Sequence, residues 1–476
     1  MKLKKLISSL KVKKIIGNVD IDITEIFIDS KSVTKNSLFV CIKGKRIDSH
    51  SLIKQVENFG AVAVITESKL DTSLTQIIVE DCRLALALVS AEYYGNVYEK
   101  MKIVGVVGTN GKTTTSHVIK NVLQKNGIKC GVIGTIGSYY TGKKIENNLT
   151  TPDPLELHKI LKDMYDNGVE IVIMEVSAHA IALKKVENIK FEVGIFTNFS
   201  QDHLDYFSSM EEYKNVKKSF FKNCKCIIAN SDDEVGLEII KENKGVISYG
   251  INNPSDVFAI NLKCRLLNTS FVVNLFDQVY NVNTTLMGEF NVYNLLCSMT
   301  VCSILGVKLE NVVKYTSEIE GVSGRLELIS AKKPYVFIDY AHTPDGLENV
   351  LKTLKSLTKA RVICVFGCGG NRDCGKRAKM GEISGKFADF TVITSDNPRF
   401  EEPMDIIYEI EKGILKETKN YVVVQDRVEG IKYALSVAQK NDIVLVAGKG
   451  CENYQEVLGI KHVYNDKTTI ENLLKI

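Results

Sequence analysis

Residues 103–117 read IVGVVGTNGKTTTSH: an apolar run, a loop bounded by Gly108 and Gly111, then a polar stretch opening on Lys112. A buried strand, a glycine loop and a helix in that order aim backbone N–H groups and a helix N-terminus at phosphate oxygens. In that geometry Gly108, Thr109, Asn110, Gly111 and Thr114 would cradle a nucleotide. Lys112 would bridge the β- and γ-phosphates, and Thr113 would ligate Mg²⁺. The spacing is a variant, because Val106 stands where the usual motif has glycine. A phosphate cradle does not choose a reaction, since kinases, hydrolases and ligases all use one.

Working outward, EIVIMEVS, FEVGIFTNFS and KCIIANSDD are further apolar runs with polar tails, separated by lengths that can hold crossover helices. They describe a central doubly wound α/β domain. Glu175 ends the first run, and Asp202 and His203 follow the second. Each alone reads as a loop brace; together, at successive strand ends, they point to a divalent cation site.

A third series follows GVSGRLE: YVFIDYAH, RVICVFGCGG, DFTVITSDNPR, YVVVQD and DIVLVAGKG. In open α/β sheets ligands sit outside the carboxyl ends of the strands, so these tails are expected to converge on one crevice. TSDNPRFEEP, residues 394–403, reads as a surface turn through Asn-Pro. It also reads as a site for a free amino acid, with Arg399 forking onto a carboxylate and Asp396 accepting from an ammonium.

At 476 residues the chain exceeds one compact core, and ordinary domain sizes give about three domains. Hydrophobic residues at 45% and charged residues at 25% are the balance of a globular protein rather than a disordered one. A net charge of +4 demands no nucleic-acid partner and leaves small anions open. No apolar stretch approaches the roughly eighteen residues of a membrane span, and lysines interrupt the apolar runs of MKLKKLISSLKVKK, unlike a secretion signal. A cytoplasmic protein without membrane insertion is expected, and twelve cysteines then read as reduced thiols. Cys364, Cys368 and Cys374 lack the paired spacing of a zinc site.

The chain resembles the Mur ligases over nearly its whole length. DSKSVTKNSLFV, GTNGKTTT, LTTPDP, MEVSAHA, TNFSQDHLDYF, YKNVKKSFF, GEFNVYN, GVSGRLE, DYAHTPDGLENVL, GCGGNRDCGKR, SDNPR and GKGCENYQ stand in family order. The resemblance implies three α/β domains: residues 1–98 for the UDP end of the substrate, 99–325 for ATP with a P-loop sheet, and 326–476 as a Rossmann-like amino-acid domain. It implies a C–N ligase that uses ATP as co-substrate and Mg²⁺ as cofactor, working through an acyl phosphate. A phosphoryl transfer of that kind needs positioning and positive charge, which Lys112 and Thr113 with Mg²⁺ supply.

By the same resemblance Lys217 would be carbamylated and would join Thr113, Glu175 and His203 around metal. Asn291, Asn294, Arg325 and Asp339 would serve the nucleotide. Ser30, Thr150, Thr151, Ser177 and Lys185 would hold the UDP-linked substrate. Unmodified, Lys217 reads as one of three lysines on a solvated helix face, and Asn291 and Asn294 as helix caps or helix surface.

Several positions depart from the family pattern. Lys31 and Lys185 stand for arginines, Ala178 for a serine, Leu149 for an asparagine and Cys451 for a histidine. Lysine keeps the charge of arginine but loses its bidentate fork.

DNPR is the family's motif for meso-diaminopimelate, which differs from lysine by a carboxylate beside the distal amine. The branch it marks adds meso-diaminopimelate to UDP-N-acetylmuramoyl-L-alanyl-D-glutamate in peptidoglycan precursor synthesis. Arg372 and Arg399 would meet the carboxylate, Asp396 and Glu452 the ammonium groups, and Asn397, Pro398 and Gly448 would shape the approach. Phe400 replaces the small polar residue frequent after the motif. The alternatives are a ligase for L-lysine or another diamine, a folylpolyglutamate synthetase-like ligase, and a nucleotide-gated binding protein without catalysis. A monomer is expected.

Overall fold

Alternation along the C-terminal strands decides how that region is layered. Successive residues of a strand face opposite sides, so a run that is apolar at every position buries both faces of its sheet. In a computed structural model, which describes residues 1–44, 47–147, 149–332 and 334–475, this is what the third series does. Phe337, Cys364, Phe366, Ile393 and Leu445 join one core, and Val336, Ile338, Ile363, Val365, Val392 and Val444 join another. The helices Pro344–Leu357, Gly375–Phe387 and Pro403–Ile414 supply the first core with Leu351, Met380 and Ile410. Arg427–Val437 and Asp466–Leu474 supply the second with Ile431 and Ile470.

The sheet between them runs in the order Glu327–Ser330, Tyr335–Asp339, Ile443–Ala447, Val362–Phe366, Phe390–Ile393, Tyr421–Val423. The first strand is antiparallel to its neighbour and the other pairings are parallel. All the parallel strands therefore end on one edge, where the tails DYAH, GCGG, SDNPR and GKGC emerge.

Two compact units emerge from the chain: Met1–Gly105, Ile128–Gly194 and Ser219–Lys225 form one, and Val106–Gly127, Ile195–Lys218 and Cys226–Ile476 the other. The first contains a five-stranded sheet in the order Val12–Ile16, Thr75–Val79, Ala61–Thr66, Ser37–Val40, Ile26–Phe27. Helix Cys82–Tyr93, its first N–H groups capped by Asp81, adds Ala85, Leu86 and Val89 to that core. Also in this unit, Ile171–Glu175 pairs in parallel with Cys130–Gly134, which begins an antiparallel meander through Gly137–Tyr140 and Lys143–Ile145.

The second unit holds the P-loop helix Lys112–Lys125, the helix Glu289–Ile304 and the Rossmann-like sheet. It also holds Val257–Arg265, Asn268–Leu275 and Gln278–Thr284, antiparallel strands whose sequences are not continuous apolar runs. Their pattern of alternating burial is that of a sheet with one wet face. The fold is α/β, with the P-loop and the Rossmann-like C-terminal sheet that the sequence predicts.

Helices Gly375–Phe387 and Pro403–Ile414 cross at two glycines. A Cβ at Gly413 would lie 1.8 Å from the Ala378 carbonyl oxygen, and one at Gly381 2.1 Å from that of Ile410. Because backbone cannot yield as a side-chain tip can, Gly413→Ala is expected to destabilise the C-terminal region by about 1–3 kcal/mol. Gly375→Ala, whose Cβ meets only Asp373 Oδ1 at 3.1 Å, is the control. Equal urea midpoints for the two variants would contradict this packing.

Candidate active site

The P-loop begins where strand Lys102–Val107 ends. At Gly108 a Cβ would fall 1.8 Å from Thr197 Oγ1, so the loop packs against the next strand end too closely for any side chain. Gly111 has φ +85°, and a Cβ there would meet Asn294 Oδ1 at 2.4 Å. Its neighbours Thr109 and Asn110 are fixed by the tail TNFS. The Thr109 hydroxyl donates to Ser200 O at 3.2 Å and accepts from Ser200 N at 3.1 Å. Asn110 N donates to Asn198 Oδ1 at 2.9 Å, and Thr197 Oγ1 donates to Asn110 O at 2.7 Å. Lys112 Nζ lies over the loop, 2.8 Å from both Gly108 O and Thr109 O. Thr113 and Thr114 are buried in the first helical turn.

Lys217 does not sit on a solvated face. It is 1% exposed, its Nζ donates to Thr109 Oγ1 at 2.8 Å, and it lies 4.2 Å from the Tyr213 ring centroid. Burial, followed by the field of Lys112, pushes its amine well below the ordinary lysine range, with Asp202 and Asp233 offsetting only part. That shift favours the uncharged amine over what a solvated lysine would show.

His203 takes a left-handed backbone, φ +58°, with Nε2 3.3 Å from Asp202 Oδ2. Burial alone would raise the Asp202 carboxyl; the charges of His203, His342 and Lys376 outweigh it and hold it at about 2. His342 is the reverse case, driven down to about 4 by burial and then by Lys376.

The residues expected at the nucleotide also come together. Arg325 Nη2 donates to Thr113 Oγ1 at 2.9 Å while its guanidinium stacks 4.4 Å from the Tyr340 ring centroid. Asn294 Nδ2 donates to Asn291 Oδ1 at 3.1 Å, and both asparagines are buried rather than on a helix surface. Asp339 accepts the N–H groups of Leu326 and Ala341 at 2.5 and 2.7 Å. Asp345, which the sequence reading passed over, takes Asn110 Nδ2 at 2.7 Å. No local pattern signals a pair 235 residues apart.

In the first unit Glu175 is fully buried at its strand end, beside Gly134, where a Cβ would be 2.1 Å from Glu175 Oε1. Thr135 donates to it through its N–H at 3.2 Å and its hydroxyl at 2.9 Å. The hydroxyls of Thr150, Thr151 and Ser177 lie around it: Thr150 Oγ1 is 3.1 Å from Thr135 Oγ1, and Thr151 Oγ1 donates to Glu175 O at 2.9 Å. Ser177 N donates to Thr151 Oγ1 at 3.0 Å. Lys185 is buried against Asp153 at 2.8 Å. Ser30 lies in the five-stranded domain, 3.4 Å from Gln55 Oε1.

At the sheet edge of the C-terminal region Asp396, Asn397, Arg399, Gly448 and Glu452 converge. A Cβ at Gly448 would be 2.8 Å from Asp396 Oδ2, which explains the glycine. Asn397 Nδ2 donates to Glu452 Oε2 at 3.0 Å, and Arg399 Nη1 to Gly370 O at 2.8 Å. Arg372, on the same turn as Gly370, is exposed.

Two buried cations support this edge and were not read from the sequence. Lys449 Nζ bonds Asn397 Oδ1 and Glu452 Oε2, both at 2.9 Å. Arg427 forks onto Asp466 at 2.8 and 2.7 Å, and its Nη1 is 3.9 Å from Asp396 Oδ2. Burial would raise Asp396, but Lys449 and then Arg427 keep its carboxyl below the usual range. Among the described residues no three His, Cys, Asp or Glu side chains cluster as a metal centre.

Three family descriptions match in chain order: "Mur ligase family, catalytic domain" over residues 22–94, "Mur ligase middle domain" over 106–302 and "Mur ligase, glutamate ligase domain" over 324–450. A relative from Alkaliphilus oremlandii is 43% identical over 473 residues, covering 98% of this chain and 97% of its own. The chain belongs to the Mur ligase family. That relative is named UDP-N-acetylmuramoyl-L-alanyl-D-glutamate–2,6-diaminopimelate ligase, and so is one from Clostridium acetobutylicum, with the suffix 1, 43% identical and covering 99% of this chain and 98% of its own. A solved structure of a ligase with the same name superposes with a TM-score of 0.71 at 29% identity, covering 100% of this chain and 99% of that one.

Burial raises the Asp339 carboxyl from 3.8 to about 6, despite the Arg325 charge and two N–H donors. The folded state then binds more protons than the unfolded one between those values, so its stability falls as pH rises through that window. Asp339→Asn removes the titration. The unfolding free energy of the natural protein minus that of Asp339→Asn is expected to fall between pH 4 and 6, by at most about 1.4 kcal/mol per pH unit. A flat difference across urea titrations at these pH values would contradict the assignment.

Proposed function

We propose that this Mur ligase adds meso-diaminopimelate to UDP-N-acetylmuramoyl-L-alanyl-D-glutamate, with ATP converted to ADP and phosphate. The observation that carries the choice of amino acid is the Arg399 guanidinium, fixed on Gly370 O from the loop that also carries Asp396 and, through Asn397, reaches Glu452. A distal carboxylate would pair with Arg399, and an ammonium with Glu452, whose other bonds come from Asn397 and Lys449. Lysine lacks that carboxylate and would leave the Arg399 fork unmatched.

In the reaction, a substrate carboxylate oxygen attacks the γ-phosphorus and ADP leaves. The amine then attacks the acyl carbon, losing a proton as phosphate departs. Lys112 and the helix N-terminus hold the β- and γ-phosphates, and Arg325 adds positive charge from its place at Thr113. Thr150, Thr151, Ser177 and Lys185 offer donors to the UDP-linked substrate, and Ser30 to its nucleotide end. Asn291, Asn294 and Asp339 serve the adenosine of ATP.

A neutral buried amine is the species that adds CO₂. Lys217 would become a carbamate by forming an N–C bond and releasing one proton. Mg²⁺ suits what the described residues offer, because it takes few protein oxygens and completes its shell with phosphates and water. Thr113, His203 and the Lys217 carbamate would hold it; a metal role for Glu175 rests on its strand-end position in the sequence and on the resemblance. When bound, the ion neutralises charge on the transferring phosphoryl group.

The domain limits we assign are 1–98, 99–325 and 326–476; the first two contain the family matches 22–94 and 106–302, and the third match, 324–450, begins two residues before the last limit. Among the described residues no helix is long and apolar enough to cross a membrane. We place the ligase in the cytoplasm as a monomer.

Phosphate release with ATP, Mg²⁺ and UDP-N-acetylmuramoyl-L-alanyl-D-glutamate tests the assignment. Diaminopimelate is expected to support it at a kcat/KM roughly 30-fold or more above that of L-lysine, with glutamate inactive. Arg399→Ala should lose a comparable factor for diaminopimelate and keep its KM for ATP. Preference for lysine or for glutamate would replace the substrate, and no release with any amine would remove the catalytic reading.

A further inference from the structure

Arg399 is held more tightly than one carbonyl contact requires. Its backbone is left-handed, φ +54°, which is costly for an arginine and persists only when the surroundings enforce it. The enforcement comes from the hairpin Tyr454–Val457 and Ile460–Val463. Arg399 N donates to Glu456 O at 3.0 Å, Leu458 N donates to Arg399 O at 2.6 Å, and Arg399 forms a parallel bridge with Val457. The same strand grips the rest of the loop: Gln455 Nε2 donates to Asp396 O at 2.7 Å and Glu456 N to Asn397 Oδ1 at 2.9 Å.

The side chain is pinned as well. Glu456 Oε2 lies 3.2 Å from Arg399 Nε, with both side chains about one-fifth exposed. Nη1 is bound to Gly370 O at 2.8 Å, and a Cβ at Gly369 would come within 2.9 Å of Nη1. A guanidinium has five donors in one plane, so with Glu456 paired at Nε and Nη1 bonded to Gly370 O, Nη2 and the second Nη1 hydrogen are left to receive a ligand.

We infer that Glu456 is a positioning residue for amino-acid selection: paired with Arg399 at Nε, it fixes the guanidinium so that its remaining donors meet the distal carboxylate of the incoming diamino acid. The inference rests on the reading of Arg399 as the carboxylate-binding residue. Glu456 touches no reacting atom; it spares Arg399 the loss of rotamer freedom that would otherwise accompany each binding event.

Glu456→Ala and Glu456→Gln, assayed by phosphate release in the full-length enzyme, test this. Glu456→Ala is expected to raise the KM for diaminopimelate about 3- to 10-fold, with kcat and the KM values for ATP and the UDP-linked substrate unchanged. Glu456→Gln keeps an oxygen acceptor for Nε and is expected within about twofold of the natural enzyme. An unchanged KM in Glu456→Ala overturns the inference, as does a lowered one, which would show Glu456 competing with substrate for Arg399. Glu456→Gln as impaired as Glu456→Ala overturns positioning in favour of charge, and equal losses for all three substrates show general damage. Arg399→Ala measured beside them separates the two levels: if it too leaves the diaminopimelate KM unchanged, the reading of Arg399 fails, and not only that of Glu456.

Discussion

An amine buried among aromatic rings and beside a second lysine cannot keep its proton cheaply, and that constraint at Lys217 organises the nucleotide end of the protein. Its Nζ takes the Thr109 hydroxyl, whose remaining capacity is filled by the Ser200 backbone. One buried lysine thus ties the helix Met210–Ser219, the tail TNFS and the second residue of the P-loop into a single arrangement. A charged amine there would cost several kcal/mol in desolvation, and a solvated one would leave Thr109 without the Lys217 bond. The absence of side chains at Gly108 and Gly111 follows from the same close assembly.

The C-terminal edge solves a different problem with the opposite means. On the proposed reading this edge selects a zwitterionic end and needs charges that stay charged; Lys449 and Arg427, both buried, hold the Asp396 carboxyl below its usual range. Arg427 is itself fixed by a fork onto Asp466 at the start of the helix Asp466–Leu474. Such networks are favourable only when each member is partnered. The parallel sheet supplies the framework, because strands covered on both faces can end rigidly on one edge and present several tails at once.

The parts legible in the sequence were those written in contiguous residues. The glycine loop, the apolar runs of the third series and DNPR each carry local signals, and the convergence of the strand tails follows from a parallel sheet. The antiparallel strands between Val257 and Thr284 and the hairpin after Gly450 were not legible, because half-exposed alternation does not stand out as an apolar run. Lys217 was misread from its residues alone: three nearby lysines resemble a wet helix face, yet Lys214 and Lys218 reach glutamates while Lys217 turns inward. Asn291 and Asn294 are likewise buried, not surface or capping residues. Arg372 was chosen by its motif but is exposed, while nearby Arg377 is buried against Glu401 and Glu409. Glu456, Lys449 and Arg427 each meet a partner distant in the chain, Arg399, Asn397 and Asp466, which spacing cannot reveal.

The lowered basicity of Lys217 and its proposed carbamate are tested most directly by the dependence of phosphate release on CO₂. Enzyme stripped of CO₂ and assayed in CO₂-free buffer with all substrates is predicted to lose most of its rate and regain it on addition of bicarbonate, whereas Lys217→Ala stays inactive in both. Equal rates for the natural enzyme with and without bicarbonate would contradict the account.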